Sequence, residues 1–228
     1  MRKFFVADCR KVLPKVSGVD MVLTDPPFAI SRGDFETSWC GYKSHKGDWD
    51  WTEAVGGEWV HMCCDALRPG GVFCCFGVFG SLMPIWQVLE VREDMQFQSH
   101  IVWHKTNPTP SVHRRMLTHA NEIILLFSKG PKWYFDYALS KEYGGGKQLH
   151  NVWEGPAARR KLTRPRKPPW LLERLVRLFC PEDGIILDPF AGTGGVLEAA
   201  NAWNRNWIAI EIDPEMRSVL LDVREDRI

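Results

Sequence analysis

The sequence predicts a single α/β domain with a mostly parallel sheet, and three observations carry that prediction. The 228 residues suffice for one full hydrophobic core and are too few for two comfortable domains. Short, β-branched apolar runs alternate with segments of helical period, as in strands joined by helical crossovers. Near the C-terminus, Gly184-Ile185-Ile186-Leu187-Asp188, a glycine turn, a helix and Asn206-Trp207-Ile208-Ala209-Ile210 form a strand, turn, helix, strand unit whose second strand ends in Glu211. An acid at such a tip is how a nucleoside is held in a Rossmann-like sheet.

Taken in order, residues 4–7 are a short strand ending at Asp8. That acid reads equally as a ligand-facing strand tip and as the cap of a short helix over residues 9–13. Residues 19–23, interrupted only by Asp20, are a buried strand stopped by Pro26-Pro27. Residues 29–57 include Trp39, Trp49 and Trp51 among several glycines and lack clear periodicity, which suits a mobile binding loop beside that strand. An amphipathic helix over 59–67 closes at Arg68-Pro69-Gly70-Gly71, and 72–76 is a buried strand. A helix over 80–91 must hold Pro84 in its first turn or kink there. Strands follow at 100–103 and 121–128, separated by a loop at 105–115.

Residues 129–150 contain Gly144-Gly145-Gly146; with no helix pattern close behind, the triplet reads as a flexible connection and not as a phosphate loop. Residues 159–167 hold Arg159, Arg160, Lys161, Arg164, Arg166 and Lys167, an extended cationic segment that suits either a phosphate backbone or a solvated linker. Apolar spacing predicts a helix over 170–179 that stops near Cys180-Pro181, and 214–223 closes the chain as a helix.

Hydrophobic residues make up 45% and charged residues 25% of the chain, ordinary values for a globular protein. With 29 Lys and Arg against 28 Asp and Glu, any nucleic-acid surface must come from local clustering. The cysteines number seven, an odd count with two adjacent pairs in apolar stretches and no C-x-x-C. A disulfide framework and a zinc site are both disfavoured, and no metal is expected. The apolar run at 4–7 is far short of a signal-peptide core and no stretch approaches a membrane span, so an intracellular protein without a membrane partner is expected.

Thr24-Asp25-Pro26-Pro27-Phe28 carries the first chemical signal. A strand that stops at Asp-Pro-Pro sets a carboxylate and a donor-less carbonyl at the sheet edge, with an aromatic ring beside them. Asp25 and the Pro26 carbonyl can each accept from an amino group, and Phe28 can stack on the ring that bears it. The second signal is Pro189-Phe190-Ala191-Gly192-Thr193-Gly194-Gly195. Leu197 stands where a dinucleotide fingerprint needs its third glycine, and no Gly-Lys-Ser/Thr follows. With acids at Asp188, Glu211 and possibly Asp8 and no phosphate-binding lysine in the turn, the site suits a cationic nucleoside lacking phosphate. S-adenosylmethionine has that character: Glu211 can accept from both ribose hydroxyls, and Asp188 lies near the amino-acid end.

Together, Asp25-Pro26-Pro27-Phe28 and Asp188-Pro189-Phe190-Ala191-Gly192-Thr193-Gly194 resemble the DNA amino-methyltransferases, which methylate adenine N6 or cytosine N4. The catalytic motif comes first and the cofactor motif near the C-terminus, as in their circularly permuted β group. Ala7-Asp8-Cys9, Leu67-Arg68-Pro69-Gly70-Gly71, Ile101-Val102-Trp103, His119-Ala120-Asn121-Glu122, Asn151-Val152-Trp153 and Lys167-Pro168 fit as well, so the resemblance spans nearly the whole chain. It implies a Rossmann-like methyltransferase fold: a seven-stranded sheet with one antiparallel strand and helices on both faces. It also implies that the N-terminal strand is the third of the cofactor half, with Asp8 placed to accept from the cofactor's adenine.

On this reading the catalytic residues are Asp25, Pro26, Pro27 and Phe28, with Asp25 essential. Cofactor contacts are expected from Asp8, Asp25, Lys167, Asp188, Phe190, Gly192, Thr193, Gly194, Glu211 and Asp213. DNA contacts are expected from Arg114, Arg115, Arg159, Arg160, Lys161, Arg164 and Arg166. Within the family, Asp-Pro-Pro followed by Tyr or Phe usually goes with adenine, and homodimers are common. Only residues 154–166 separate the stretches where relatives with defined sites carry a recognition segment, so a separate recognition domain is absent and a short or relaxed target is expected. Compact forms of this kind resemble enzymes of phages and mobile elements. The competing readings are an N4-cytosine or RNA methyltransferase and a non-catalytic nucleic-acid-binding module.

Overall fold

A computed structural model describes residues 1–27, 57–110, 117–158 and 166–224. In chain order the elements are β1 (Arg2–Val6), α1 (Cys9–Val12), β2 (Val19–Thr24), α2 (Glu58–Ala66), β3 (Leu67–Gly77), α3 (Phe79–Glu90), β4 (Met95–Lys105), β5 (Asn121–Lys129), α4 (Tyr137–Tyr143), β6 (Val152–Gly155), α5 (Pro169–Phe179), β7 (Ile185–Asp188), α6 (Gly195–Ala202), β8 (Asn206–Glu211) and α7 (Arg217–Arg224).

The strands form one sheet in the order β1-β8-β7-β2-β3-β5-β4-β6. All neighbouring pairs are parallel except those that β5 makes with β3 and β4. The single reversed strand matches expectation. The count does not: the sheet has eight strands and not seven. The extra one is β6, which pairs in parallel with the end of β4, Val102 to Val152 through Lys105 to Gly155. Four residues with two apolar side chains give too little alternation to announce a strand.

Alternate side chains of the central strands feed two cores. Met21, Leu23, Val72, Cys74 and Phe76 face Leu171, Leu172, Leu175 and Leu197 of α5 and α6. Val22, Phe73 and Cys75 face Val60, Cys63, Cys64, Leu82 and Leu89 of α2 and α3. A strand buried on both sides must be apolar throughout, hence the unbroken runs in β2 and β3. The adjacent cysteines of β3 are split between the two cores, and every described cysteine is free. Each of those two thiols is held well above its usual range by burial.

The structure departs from expectation at the glycine triplet and excludes one of the two places open to Pro84. Gly144-Gly145-Gly146 is an ordered helix end: the N–H of Gly144 donates to Ser140, that of Gly145 to Glu142 and that of Gly146 to Lys141, with φ of +65° and +90° at Gly145 and Gly146. The triplet stops α4 in left-handed backbone that only glycine adopts cheaply. Pro84 is the sixth residue of α3 and so lies beyond its first turn. Among the described residues, no helix is long and apolar enough to cross a membrane, and no group of three or more His, Cys, Asp or Glu is arranged to hold a metal ion.

Candidate active site

Seven of the eight strands run the same way and end on the same edge of the sheet, and the two sequence motifs meet there. β2 pairs with β7, Met21 opposite Ile186 and Val22 opposite Leu187. Thr24, the last residue of β2, donates its hydroxyl to Asp188 Oδ1 at 3.0 Å. The Asp-Pro-Pro turn and the glycine turn therefore leave from adjacent strand ends, as the reading required.

Asp188 is buried and also accepts from the Phe190 amide at 3.1 Å. Burial pushes its carboxyl up to about 7, against the pull of the Phe190 amide and the Thr24 hydroxyl; the nearby Asp25 and Glu211 add to the rise. The turn itself is wound by left-handed glycines, Gly192 at φ +50° and Gly194 at φ +80°, with Thr193 between them. Gly194 caps α6, and a β-carbon there would lie 3.1 Å from Val223. At Gly192 a β-carbon would meet nothing within 4 Å.

Glu211, at the end of β8, is held by two backbone amides. Gly192 N donates to Oε2 at 2.7 Å and Asp213 N donates to Oε1 at 2.9 Å. The carboxylate is thus set before any ligand arrives, with each oxygen keeping acceptor capacity. Asp213 turns its own carboxylate to Glu215 N at 2.8 Å and caps the following 3-10 turn. Phe190 packs edge-on against Trp59, with ring centroids 4.9 Å apart.

Asp8 realises the helix-cap alternative. It follows β1, which pairs with β8 as the resemblance implied, but its carboxylate caps α1 through Arg10 N at 2.9 Å and grips the Arg10 guanidinium at 2.7 Å. The Arg10 side chain holds its carboxyl below the usual range. Both oxygens are engaged by Arg10, and, as at Glu211, each keeps a further lone pair, so the cap leaves acceptor capacity for the expected contact with a cofactor adenine.

Asp25 sits among charges that the sequence did not bring together. Lys167, just ahead of α5, lies 2.6 Å from Asp25 Oδ2 and 3.2 Å from Glu122 Oε2, and Lys105 lies 2.7 Å from Glu122 Oε1. Asp25 Oδ1 is buried and has no hydrogen-bond partner among the described residues, although the side chain as a whole is 35% exposed. Burial raises the Asp25 carboxyl above its usual range, Lys167 opposes the rise and Glu122 adds to it. Burial also works against ionised Glu122, but Lys167 and Lys105 outweigh it and hold that carboxyl low. Glu122 escaped sequence reasoning as a site residue because its place depends on strand direction. β5 runs backwards, so its second residue lies opposite Trp103, near the end of β4. The stretch His119-Ala120-Asn121-Glu122 was the available signal.

Arg166, expected on a DNA backbone, instead pairs with Glu198 of α6 and is largely covered. It packs beside Gly195, where a β-carbon would lie 3.0 Å from its Nε. Phe28, the stretch 29–56, Arg114, Arg115, Arg159, Arg160, Lys161 and Arg164 lie outside the described residues.

The family model described as DNA methylase matches residues 19–221. The chain belongs to the DNA methylase family. It is 32% identical over 227 residues to the type II methyltransferase M2.DpnII of Streptococcus pneumoniae, covering 92% of this chain and 84% of that protein. It is 31% identical over 226 residues to M2.LlaDCHI of Lactococcus lactis subsp. cremoris, with the same coverage. Its fold matches the crystal structure of the M1.HpyAVI–SAM complex with a TM-score of 0.75 at 22% identity, covering 98% of this chain and 99% of that one. The cytosine-N4-specific PvuII DNA methyltransferase matches with a TM-score of 0.73 at 18% identity, covering 96% and 85%. The chain is a DNA methyltransferase.

Proposed function

We propose that this methyltransferase carries a methyl group from S-adenosylmethionine to the exocyclic N6 of an adenine flipped out of double-stranded DNA. The single observation that supports it most is Asp25 Oδ1, a buried carboxylate oxygen with no hydrogen-bond partner among the described residues, beside the strand that carries the glycine turn. A buried acceptor without a donor costs stability, and an amino group from a substrate ring would satisfy it.

The residues fit the cofactor. Glu211 is fixed by two amides and can accept from a ribose diol. Gly192 carries no side chain where the turn lies open. Burial disfavours ionised Asp188 and Asp25, so a ligand that is cationic at sulfur would stabilise their carboxylates, and the turn adds no phosphate-binding lysine. When bound, S-adenosylmethionine supplies an electrophilic methyl on a sulfonium. The chain's own arrangement, with the Asp-Pro-Pro strand before the glycine-turn strand and β1 beside β8, supports membership of the permuted β group.

The chain's own part in the reaction is placement and charge. An aromatic amine is a weak nucleophile because its lone pair is delocalised into the ring. By accepting its hydrogens, Asp25 Oδ1 and the Pro26 carbonyl favour a pyramidal nitrogen and offset the positive charge that grows on it as the new bond forms. Asp25 is also the group placed to take the proton that the methylated nitrogen must shed. A base stacked in a duplex cannot reach a strand end, so it must be extruded, and Phe28 would take over its stacking.

The finer parts of the reading are double-stranded DNA as substrate, a homodimer, and a cytoplasmic location. The test is to incubate the protein with unmethylated plasmid and S-adenosylmethionine, digest the DNA to nucleosides and weigh the product. N6-methyladenosine in its deoxy form is expected. N4-methyldeoxycytidine would move the acceptor to cytosine, and an unmodified digest from folded protein would overturn the reading.

A further inference from the structure

We propose that Glu122 is a positioning residue for methyl transfer: anchored by Lys105, it holds the Lys167 ammonium against Asp25 Oδ2, so that Oδ1 is the oxygen presented to the substrate amine. This rests on the role given to Asp25 above.

The geometry is a chain of alternating charge. Lys105 Nζ is 2.7 Å from Glu122 Oε1, Lys167 Nζ is 2.6 Å from Asp25 Oδ2, and Glu122 Oε2, which has no well-formed hydrogen bond among the described residues, lies at ion-pair distance, 3.2 Å, from Lys167 Nζ. Lys167 also lies over the Phe76 ring, 5.2 Å from its centroid, which adds a weak attraction on that side. Both Lys167 and Glu122 are nearly covered, with side-chain exposures of 12% and 13%. Four elements supply the chain: the ends of β2 and β4, the start of the reversed β5, and the segment entering α5. The arrangement is therefore a product of the fold and not of local sequence.

The two ends of the chain do different work. A carboxylate that rotates freely presents either oxygen to a substrate, whereas one pinned at Oδ2 by a short charge-assisted bond presents Oδ1 in one direction. An ammonium alone would pin Asp25 but would also drain its basicity, because opposite charge this close favours the ionised form. Glu122 shares the ammonium's charge, so Asp25 is held in place while keeping its power to accept. Lys105 in turn stops the two carboxylates from repelling each other unchecked. The charged or titratable groups that face Asp25 are Lys167, Glu122 and Lys105 from this chain, Asp188 on β7 and the Cys75 thiol on β3.

The test measures single-turnover methylation of plasmid DNA against pH for the wild type, Glu122→Gln and Lys167→Arg, with S-adenosylmethionine affinity followed by calorimetry. Glu122→Gln is expected to lower the maximal rate about ten- to a hundredfold, as a small misplacement of a reacting group does, with cofactor affinity kept. Its acidic limb is expected to move to lower pH, because Asp25 then faces an ammonium that nothing balances. Lys167→Arg, which keeps the charge, is expected to leave the limb where it is in the wild type. A merely structural role would reduce folded protein without moving the limb. A Glu122→Gln enzyme with wild-type rate and limb, or one whose rate falls with an unmoved limb, overturns the proposal. If Glu122→Gln does not fold, Lys105→Gln is read instead: loss of that cation must move the limb to higher pH, and an unmoved limb overturns the proposal. Failure of the underlying reading looks different, since then Asp25→Ala would still methylate or the wild type would not.

Discussion

The hydroxyl of Thr24 donates to Asp188 Oδ1 at 3.0 Å, across 164 positions of chain. Thr24 is wholly buried, so this bond joins the strand of the Asp-Pro-Pro turn to the strand of the glycine turn in the dry part of the sheet. Thr24→Val keeps the shape and removes the donor. A loss of about 1–2 kcal/mol of unfolding free energy is expected for a buried carboxyl left short of a partner, measured by urea denaturation. Methylation should survive in weakened form.

Asp25→Ala is expected to abolish methyl transfer, with a loss of roughly a hundred- to a thousandfold or more, typical of removing one electrostatic stabiliser of the transition state. Cofactor binding by calorimetry should persist, because Glu211 and the glycine turn are untouched. An Asp25→Ala variant with normal turnover would refute the role assigned to that carboxylate.

Stability should fall with rising pH through the range set by Asp188. Its folded-state value of about 7 lies above the 3.8 of an exposed aspartate. Below about pH 4 the group is protonated whether the chain is folded or not and contributes nothing. Between there and about 7 the unfolded chain releases the proton first, so folding is penalised progressively, and above 7 the penalty is complete, on the order of a few kcal/mol. Asp188→Asn should therefore raise the melting temperature at pH 8 relative to wild type and lose that advantage by pH 4, while cofactor affinity drops. An equal shift in melting temperature at both pH values would show that the carboxyl does not carry the effect.

The two left-handed glycines should separate stability from binding. Gly194→Ala combines left-handed backbone, costing about 1–2 kcal/mol for a residue with a β-carbon, with a contact 3.1 Å from Val223, and should lower the melting temperature. Gly192→Ala pays a similar backbone cost without that contact, so it should be the less destabilised variant. Its main loss should appear in calorimetric affinity for S-adenosylmethionine, since the added methyl points to where the turn is open. Reversed rankings would contradict this division.

Much of this site could be read from residues alone, for a physical reason. A strand that is buried on both faces writes itself as an apolar run, and the residue ending it marks the sheet edge; Thr24-Asp25 and Asp188 were legible in that way. The adjacency of β1 and β8 followed from the resemblance and not from any local pattern. What escaped depends on strand direction or on very short elements. Glu122 reaches the site because β5 is reversed, β6 has too few residues to show alternation, and α4 is short with two aromatic ends. Asp8 illustrates a further limit. Sequence allowed both a strand tip and a helix cap, and which of them engages the carboxylate was decided by Arg10, two residues away, whose reach no spacing rule encodes.

The pairing of β1 with β8 also dictates an order of assembly. During synthesis Arg2 leaves the ribosome about two hundred residues before Trp207, opposite which it will lie. Until then β1 can only wait, a strand with Phe5 and its unpaired amides open to the wrong neighbour. Closure of so long a loop is slow, so this side of the sheet is completed late, when β8 at last provides β1 with its edge.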